Sequence, residues 1–265
     1  MIRLATKSGG KGLYMGEETG FLEIGGVKIA FDKLDGKGPT VIFCGGYASA
    51  RKSTKASALL EWARTTGKNY IRFDYSGHGD SSGRFEDATL GQWLDETTAV
   101  IDRVADPAEK VVLVGSSMGG WISLLAAQKR PDRLKGLVTI ACGADFTQVV
   151  LSGILTPPLL AMLEEKGVLY RPNPEGVAPT PLTWKFLQES KRHLLLGGTI
   201  SVTCPVRMFH GLRDMEAPWS ISRSVLEKLS SSDATLELIK EGGHRLSSPA
   251  DMVRLIAAIE GLSQS

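Results

Sequence analysis

One junction constrains the fold of this chain more than any other feature: a short buried strand that runs almost directly into a buried helix. The run VVLV at residues 111–114 is apolar on both faces of a strand, as in the middle of a parallel sheet. Residues 118–130 are apolar nearly all round when placed on a helix, which predicts a buried helix. Only residues 115–117 separate the two. The sequence therefore predicts a tight strand-to-helix turn inside a parallel sheet.

The same alternation of strand and helix patterns extends along most of the chain. Further strands are predicted at residues 41–44, 70–73, 135–141, 206–209 and 235–239, and further helices at 54–66, 89–104, 218–229 and 250–262. This alternation predicts an α/β fold, in which a mainly parallel central sheet carries helices on both faces. Residues 21–31 read as two short strands broken at Gly25-Gly26, so we expect a hairpin and an antiparallel edge.

Residues 146–200 break this alternation. They hold two tight groups of prolines and several apolar runs. A bare loop of that length would be unusual. We therefore predict that residues 1–145 and 201–265 form the core and that residues 146–200 form a small, mostly helical cap over one end of the sheet. The alternative is an ordinary strand and helix whose pattern is weak.

Composition excludes several classes of function. Among the 265 residues, 42% are hydrophobic and 23% charged, and the net charge of +2 is too small to indicate a nucleic-acid partner. No stretch approaches the roughly 18 apolar residues of a membrane helix, so no stable membrane insertion is expected. We expect neither a signal peptide nor a transit peptide, because no apolar run of signal-peptide length precedes Gly9-Gly10, and the three distant cysteines predict no disulfide framework. We expect a cytoplasmic protein if the source is bacterial, or a mitochondrial one if this is a mature eukaryotic form.

The candidate nucleophile is a serine in the pattern G-x-S-x-G, which occurs twice, as GDSSG at 79–83 and as GSSMG at 115–119. The pattern alone is weak in a chain with 30 glycines, so its surroundings must decide. The first copy lies in a polar loop followed by charged residues. The second lies between the buried strand and the buried helix, where a serine hydrolase holds its nucleophile on a sharp turn. We therefore predict Ser117 as the nucleophile and Ser81 as a turn residue.

A serine hydroxyl needs a base to take its proton, and the chain offers four histidines. His244 lies after the last predicted strand and before the last helix, where the chain order serine, acid, histidine places the base. His78 is the second candidate, although its polar loop favours a structural or surface role. His193 falls in the predicted cap. His210 ends a strand next to a glycine, and we expect its backbone to shape that turn.

The acid that orients the base should lie between the serine and His244, just past a strand. Asp214 follows the penultimate predicted strand and is the preferred candidate. Glu216 lies close behind it, and Asp145 follows the strand after the nucleophile helix, so both stay open as alternatives. The sequence therefore predicts a triad of Ser117, Asp214 and His244.

An oxyanion needs backbone N–H donors, one of which comes from the residue after the nucleophile. Here that residue is Met118. The second donor should come from the loop after the strand at 41–44, where Gly45-Gly46-Tyr47 favours the N–H of Tyr47. The sequence contains neither metal-ligand spacings nor a dinucleotide fingerprint, so we expect no metal and no cofactor.

Several segments resemble α/β-hydrolases. DYSGHG at 74–79 is similar to their D-x-x-G-x-G loop. Together, YIRFDYSGHG (70–79), VGSSMGGW (114–121) and VTCPVRMFHGLRD (202–214) resemble the branch that includes the mitochondrial palmitoyl-protein thioesterases, which also act as acyl-glucuronide esterases. The resemblance runs from about residue 28 to the end of the chain, and the predicted cap is least alike.

This resemblance implies an α/β-hydrolase fold with Ser117, Asp214 and His244 as the triad. It also implies a small acyl ester or thioester as substrate, with an S-acylated protein as a further option. Two alternatives stay open. The same triad cleaves amides, so a small-peptide hydrolase fits, and a ligand receptor on a hydrolase scaffold fits because fold does not fix function. Dehalogenases and epoxide hydrolases are disfavoured because they need aspartate at the turn.

Overall fold

The computed structural model describes residues 16–172 and 179–264, which contain an eight-stranded sheet and a separate two-stranded hairpin. The strands in chain order are β1 (Glu17–Ile24), β2 (Val27–Leu34), β3 (Lys37–Cys44), β4 (Lys68–Phe73), β5 (Val111–Ser116), β6 (Leu134–Ile140), β7 (Val168–Arg171), β8 (Thr180–Thr183), β9 (Val206–Gly211) and β10 (Ala234–Ile239). The N-terminal residues on which the signal-peptide prediction rests lie outside the described residues.

The large sheet has the strand order β1-β2-β4-β3-β5-β6-β9-β10. The first two strands form an antiparallel hairpin, and β2 is also antiparallel to β4. From β4 to β10 every neighbouring pair is parallel. The predicted mainly parallel sheet with an antiparallel edge is thereby confirmed.

Helices cover both faces of this sheet. In chain order they are α1 (Thr54–Thr66), α2 (Leu90–Arg103), α3 (Met118–Lys129), α4 (Phe146–Val149), α5 (Pro157–Lys166), α6 (Trp184–Ser190), α7 (Trp219–Lys228) and α8 (Pro249–Gln264). Successive side chains of a strand point to opposite faces. In β5, Val111 and Leu113 join the core formed with α2, α3 and α7, whereas Val112 and Val114 join the core formed with α1 and α8. This is why the strand is apolar throughout.

The described part of residues 146–200 holds α4, a π-turn, α5, the β7–β8 hairpin and α6. The hairpin was missed by the sequence prediction of a mostly helical segment, because its strands have four residues each and β8 contains Pro181. In α5 only Leu163 is buried, whereas α6 buries Phe186 and Leu187. Within this segment α6 therefore packs on the core, whereas α5 is largely exposed.

Candidate active site

The turn between β5 and α3 holds Ser117 in an unusual backbone conformation. Its φ of 54° and ψ of −119° lie outside the regions that L-residues favour. Three backbone hydrogen bonds hold the residue there: its N–H donates to the Ile140 carbonyl at 2.8 Å, and its carbonyl accepts from the N–H groups of Gly120 and Gly143 at 2.9 and 3.0 Å. Such strain persists only where the surroundings enforce it, and it is typical of functional sites.

Glycine is required beside this serine because neighbouring backbone passes very close. A Cβ on Gly119 would collide with the carbonyl oxygens of Cys44 and Gly45 at the end of β3. A Cβ on Gly115 would collide with the carbonyl of Gly119 itself. Gly119 therefore lets the turn pack against the end of β3, and Gly115 lets the end of β5 pack against the first turn of α3.

The structure brings the three side chains of the predicted triad together. The Nε2 atom of His244 lies 3.0 Å from the Ser117 Oγ atom, and its Nδ1 atom lies 2.7 Å from the Asp214 Oδ2 atom. The three residues follow β10, β5 and β9, so all lie at the carboxyl edge of the sheet. Because a carboxylate only accepts hydrogen bonds, Nδ1 carries the proton and Nε2 is left to accept from the serine. This arrangement can transfer a proton from Ser117.

The Asp214 side chain is fully buried, yet its carboxylate is well supplied with donors. Oδ1 accepts from the N–H groups of Glu216 and Ala217 at 2.8 and 2.9 Å. Oδ2 faces the Nδ1 atom of His244 and the Nε2 atom of His210. Burial by itself raises the pKa of Asp214, but the hydrogen bonds from the two histidines and Ala217 outweigh it and hold that pKa well below its usual range. The carboxylate therefore stays ionised.

The two other acids considered for this role lie elsewhere. The Asp145 carboxylate accepts the N–H groups of Leu195 and Leu196 at 2.8 Å each, so it anchors the end of the 146–200 segment. Burial raises the pKa of Asp145 despite those bonds. The Glu216 carboxylate is half exposed and lies 4.0 Å from the Arg171 guanidinium. Neither carboxylate faces the imidazole of His244.

Two of the remaining histidines have structural contacts. His78 is buried and accepts the Ala48 N–H at its Nε2 atom (3.1 Å), while its Nδ1 atom lies 3.2 Å from the Ser76 carbonyl. Burial lowers the pKa of His78 to about 4, so the imidazole is neutral. His193 lies 2.7 Å from the Glu189 carboxylate within the 146–200 segment. His78 therefore supports the loop that follows β3, as its predicted structural role requires.

The fourth histidine differs from its sequence interpretation. His210 was expected to act through its backbone, but its side chain is fully buried and its Nε2 atom lies 3.0 Å from the Asp214 Oδ2 atom. The signal in the sequence was its position at the end of β9, on the same sheet edge as Asp214. Sequence reasoning missed the contact because strand position does not say which side chains meet.

Met118, one predicted oxyanion donor, directly follows the nucleophile, and the loop that contains Tyr47, the other, passes next to it. Met118 is the first residue of α3, where a helix N–H has no partner within the helix and points outwards. A Cβ on Gly46 would lie 3.4 Å from the Ser117 Cβ atom, so the loop after β3 is next to the serine. Within that loop the Tyr47 hydroxyl donates to the Pro181 carbonyl at 2.7 Å, which links the loop to the β7–β8 hairpin.

Within residues 16–172 and 179–264, no three His, Cys, Asp or Glu side chains are grouped so that they could hold a metal ion. None of the helices described there combines the length and the apolar character needed to span a membrane. The three cysteines are free, and burial raises the pKa of Cys44 to about 11 and that of Cys142 to about 12, so both thiols are protonated.

Comparison with known proteins identifies the family. Residues 37–174 match the family model described as serine aminopeptidase, S33. The human mitochondrial palmitoyl-protein thioesterase ABHD10 is 39% identical over 237 residues, which cover 88% of this chain and 76% of the human protein. The chain belongs to the α/β-hydrolase family, in the ABHD10 branch.

Solved structures of other α/β-hydrolases agree with this placement. Mouse α/β-hydrolase domain-containing protein 10 superposes with a TM-score of 0.84 at 37% identity, covering 92% of this chain and 98% of the mouse chain. A protein from Agrobacterium vitis S4 gives 0.86 at 34% identity, with 94% and 98% covered. The predicted fold class and family resemblance are therefore confirmed.

Proposed function

We propose that this α/β-hydrolase is a serine hydrolase that cleaves acyl esters or thioesters through an acyl-enzyme intermediate. The observation that carries the proposal is the hydrogen-bonded chain from Ser117 through His244 to Asp214. A lone serine hydroxyl is a weak nucleophile, and a base at hydrogen-bond distance that is itself oriented by an acid is what activates it.

The reaction follows from the atoms in that chain. As the Ser117 Oγ atom attacks the acyl carbonyl carbon, its proton passes to the His244 Nε2 atom, and the carbonyl electrons form an oxyanion facing the N–H groups of Met118 and Tyr47. Collapse breaks the bond to the leaving thiol or alcohol, which takes the proton from His244. Water then attacks the acyl-enzyme and gives a proton to His244, and His244 passes that proton to the Ser117 Oγ atom as the bond to the acyl group breaks and the acid product leaves. Asp214 stays ionised throughout.

The substrate is proposed from the relatives and from the surroundings of the site. The human relative is named as a palmitoyl-protein thioesterase, which supports a small acyl ester or thioester, or an S-acylated protein, as substrate. Tyr47 packs its ring against Phe146 and Phe186 of the 146–200 segment, with centroids 6.2 and 5.2 Å away. We propose that this segment is a cap whose apolar side chains shelter the acyl group. The reaction needs no cofactor.

A small-peptide hydrolase is the second candidate, because the matching family model is described as a serine aminopeptidase. The same nucleophile and base would cleave an amide if the cap admits a peptide. For location, we propose mitochondria if the source is eukaryotic, since the human relative is named as mitochondrial, and the cytoplasm if it is bacterial.

A fluorophosphonate probe tests the nucleophile, and substrate profiling tests the reaction. The probe should label the wild type and the matched Ser81→Ala control but not Ser117→Ala; labelling that survives in Ser117→Ala would overturn the assignment. Acyl esters and acyl thioesters of increasing chain length should then be hydrolysed faster than aminoacyl amides. Faster amide cleavage would favour the peptide candidate, and binding of esters without release would indicate a receptor.

A further inference from the structure

The imidazole of His210 makes specific contacts on both of its nitrogens in the interior of the protein. The residue is fully buried, as is Ser222 on α7. The Nδ1 atom of His210 lies 2.7 Å from the Ser222 Oγ atom. Its Nε2 atom lies 3.0 Å from the Asp214 Oδ2 atom and 2.9 Å from the Ala217 carbonyl oxygen. The ring therefore bridges α7 and the loop that carries the triad acid.

These contacts decide where the proton of His210 lies. Its Nε2 atom faces two oxygens that can only accept, a carboxylate and a carbonyl, so Nε2 must carry a proton and donate. The Ser222 hydroxyl, which can donate or accept, satisfies Nδ1. Burying a polar ring is unfavourable unless it is hydrogen-bonded, and here both nitrogens are.

We propose that His210 is a positioning residue for the triad acid, an inference that rests on the proposed hydrolase function. By donating to the Asp214 Oδ2 atom, it shares that oxygen with His244. Together with the N–H groups of Glu216 and Ala217 on Oδ1, this donor leaves the carboxylate no freedom to rotate away from His244.

The shared oxygen also sets how much negative charge faces His244. A hydrogen-bond donor on Oδ2 withdraws part of the carboxylate charge, so less negative charge remains to stabilise the imidazolium that forms on His244 during the reaction. Removing the donor should therefore shift the acid limb of the activity profile to higher pH. His210 therefore influences the pH range of activity as well as the geometry, and a ring that served only for packing would influence neither.

Two amide substitutions separate the contacts of His210. The Gln amide places its nitrogen where Nε2 of histidine lies, so His210→Gln can still donate to Asp214. The shorter Asn amide corresponds to Nδ1, so His210→Asn can reach Ser222 but not Asp214. Both variants put a neutral amide at the same buried site, and their folding is compared by thermal melting. Tyr70→Phe removes a buried hydrogen bond to the Ala56 carbonyl, away from the site, and controls for general destabilisation.

The measurements are kcat, KM and the pH profile of kcat/KM with p-nitrophenyl butyrate. For His210→Asn we expect kcat to fall roughly 10- to 100-fold, as misplaced catalytic groups do, with KM changed by less than about threefold. The acid limb of its profile should move to higher pH by roughly half a unit to one unit. His210→Gln should stay within about threefold of the wild type, and Tyr70→Phe should not differ in profile.

The two His210 variants leave the other charged groups around His244 unchanged. The Lys55 Nζ atom donates a hydrogen bond to the Arg245 carbonyl, and burial lowers the pKa of Lys55 to about 8. Arg245 follows His244 directly, and Glu216 and an exposed Arg213–Glu241 ion pair lie on the flanking loops. None of these groups is changed in the variants, so a difference between the Asn and Gln proteins reports on the donor to Asp214.

The outcomes separate this inference from the proposed function. Suppose that Ser117 of the wild type is labelled by fluorophosphonate, while His210→Asn and His210→Gln do not differ from each other in kcat or in the pH profile of kcat/KM. His210 then does not position the acid, and only this inference fails. If Ser117→Ala keeps the wild-type rate, the proposed function itself fails. A loss of kcat in the Asn variant that the Gln variant restores supports both.

Discussion

The two copies of G-x-S-x-G place a serine in the same sequence pattern and give it opposite surroundings. The Ser81 hydroxyl accepts the Ala30 N–H at 2.8 Å and donates to the Asp74 carbonyl at 2.7 Å, so backbone groups occupy it. The Ser117 hydroxyl faces the Nε2 atom of His244 at 3.0 Å. The first serine joins a loop to a strand, whereas the second lies at hydrogen-bond distance from an imidazole, as the proposed mechanism requires of a nucleophile. The G-x-S-x-G pattern therefore indicates a turn, and the group that the serine hydroxyl contacts decides whether the serine can act as a nucleophile.

The glycines of the two copies also serve different needs. Gly79 and Gly83 have positive φ angles of 47° and 92°, which shape a loop. Gly79 also has the Asp74 carboxylate where a Cβ would stand. Gly115 and Gly119 have neighbouring backbone in that position, and their φ angles are not positive. The second copy therefore needs glycine for close packing alone, whereas the first needs it for backbone conformation as well.

Replacing each serine by alanine gives the largest contrast between the copies. Ser117→Ala should lower kcat for p-nitrophenyl butyrate by at least about 10⁴-fold, because no other group would attack the ester. Ser81→Ala should keep kcat within about threefold, since its hydroxyl faces only backbone groups. Steady-state kinetics on both proteins, with folding checked by circular dichroism, tests this. A similar loss of activity in the two variants would show that the copies do not differ in this way.

Replacing the last glycine of each copy tests packing against conformation. Gly119→Ala should destabilise the fold by roughly 3 to 5 kcal/mol, because its Cβ meets two carbonyl oxygens and β3 would have to move. Gly83→Ala should cost about 1 to 2 kcal/mol, because its positive φ is strained for alanine while no atom lies within 3.6 Å of the new Cβ. Urea unfolding of both variants measures the difference. Equal costs would mean that the second turn tolerates a side chain.

The contrast between the copies could be predicted from the sequence, because it depends on hydrophobic patterning. A buried strand followed by a buried helix distinguishes the turn at Ser117 from the polar loop at Ser81. Chain order after the strands then pointed to Asp214 and His244, and the structure places His244 beside Ser117 and Asp214 beside His244. The alternating strands and helices likewise predicted the sheet, its parallel centre and its antiparallel edge.

Features that depend on which side chains meet could not be predicted in the same way. His210 lies at the end of β9, and it contacts Asp214 only because the turn after β9 brings the Asp214 carboxylate back beside the imidazole. The β7–β8 hairpin was missed because two strands of four residues show almost no periodicity. The periodic burial of side chains can be recognised in the sequence, whereas contacts between individual side chains depend on the path of short loops.

His78, in the loop of the first copy, should make stability depend on pH. Its pKa in the folded protein, about 4, lies below the ordinary value of 6.5, because burial disfavours the charged ring. As pH falls from 6.5 towards 4, the unfolded chain binds a proton that the folded protein does not, and the unfolding free energy should fall by roughly 2 to 4 kcal/mol from this residue.

His78→Gln should remove that dependence, because its amide oxygen can accept the Ala48 N–H but does not titrate at these pH values. The measurement is the unfolding free energy of both proteins from pH 7.5 to 4.5. The wild-type curve should fall more steeply below pH 6.5 and run parallel to the variant curve above it. Curves that stay parallel over the whole range would show that His78 binds its proton at the same pH in the folded protein as in the unfolded chain.

The smallest expected effect is on the stability that the first copy's hydroxyl provides. Ser81→Ala removes the acceptor of the N–H of Ala30, a buried residue of β2. The unfolding free energy should therefore fall by about 1 to 2 kcal/mol. Ser82→Ala is the matched control, because the bond from the Lys28 N–H to the Ser82 Oγ atom is exposed and water can replace it. That variant should lose less than about 0.5 kcal/mol. Denaturant unfolding of the pair decides whether the first copy is a structural turn, and equal losses would mean that Ser81 contributes no more than an exposed loop residue.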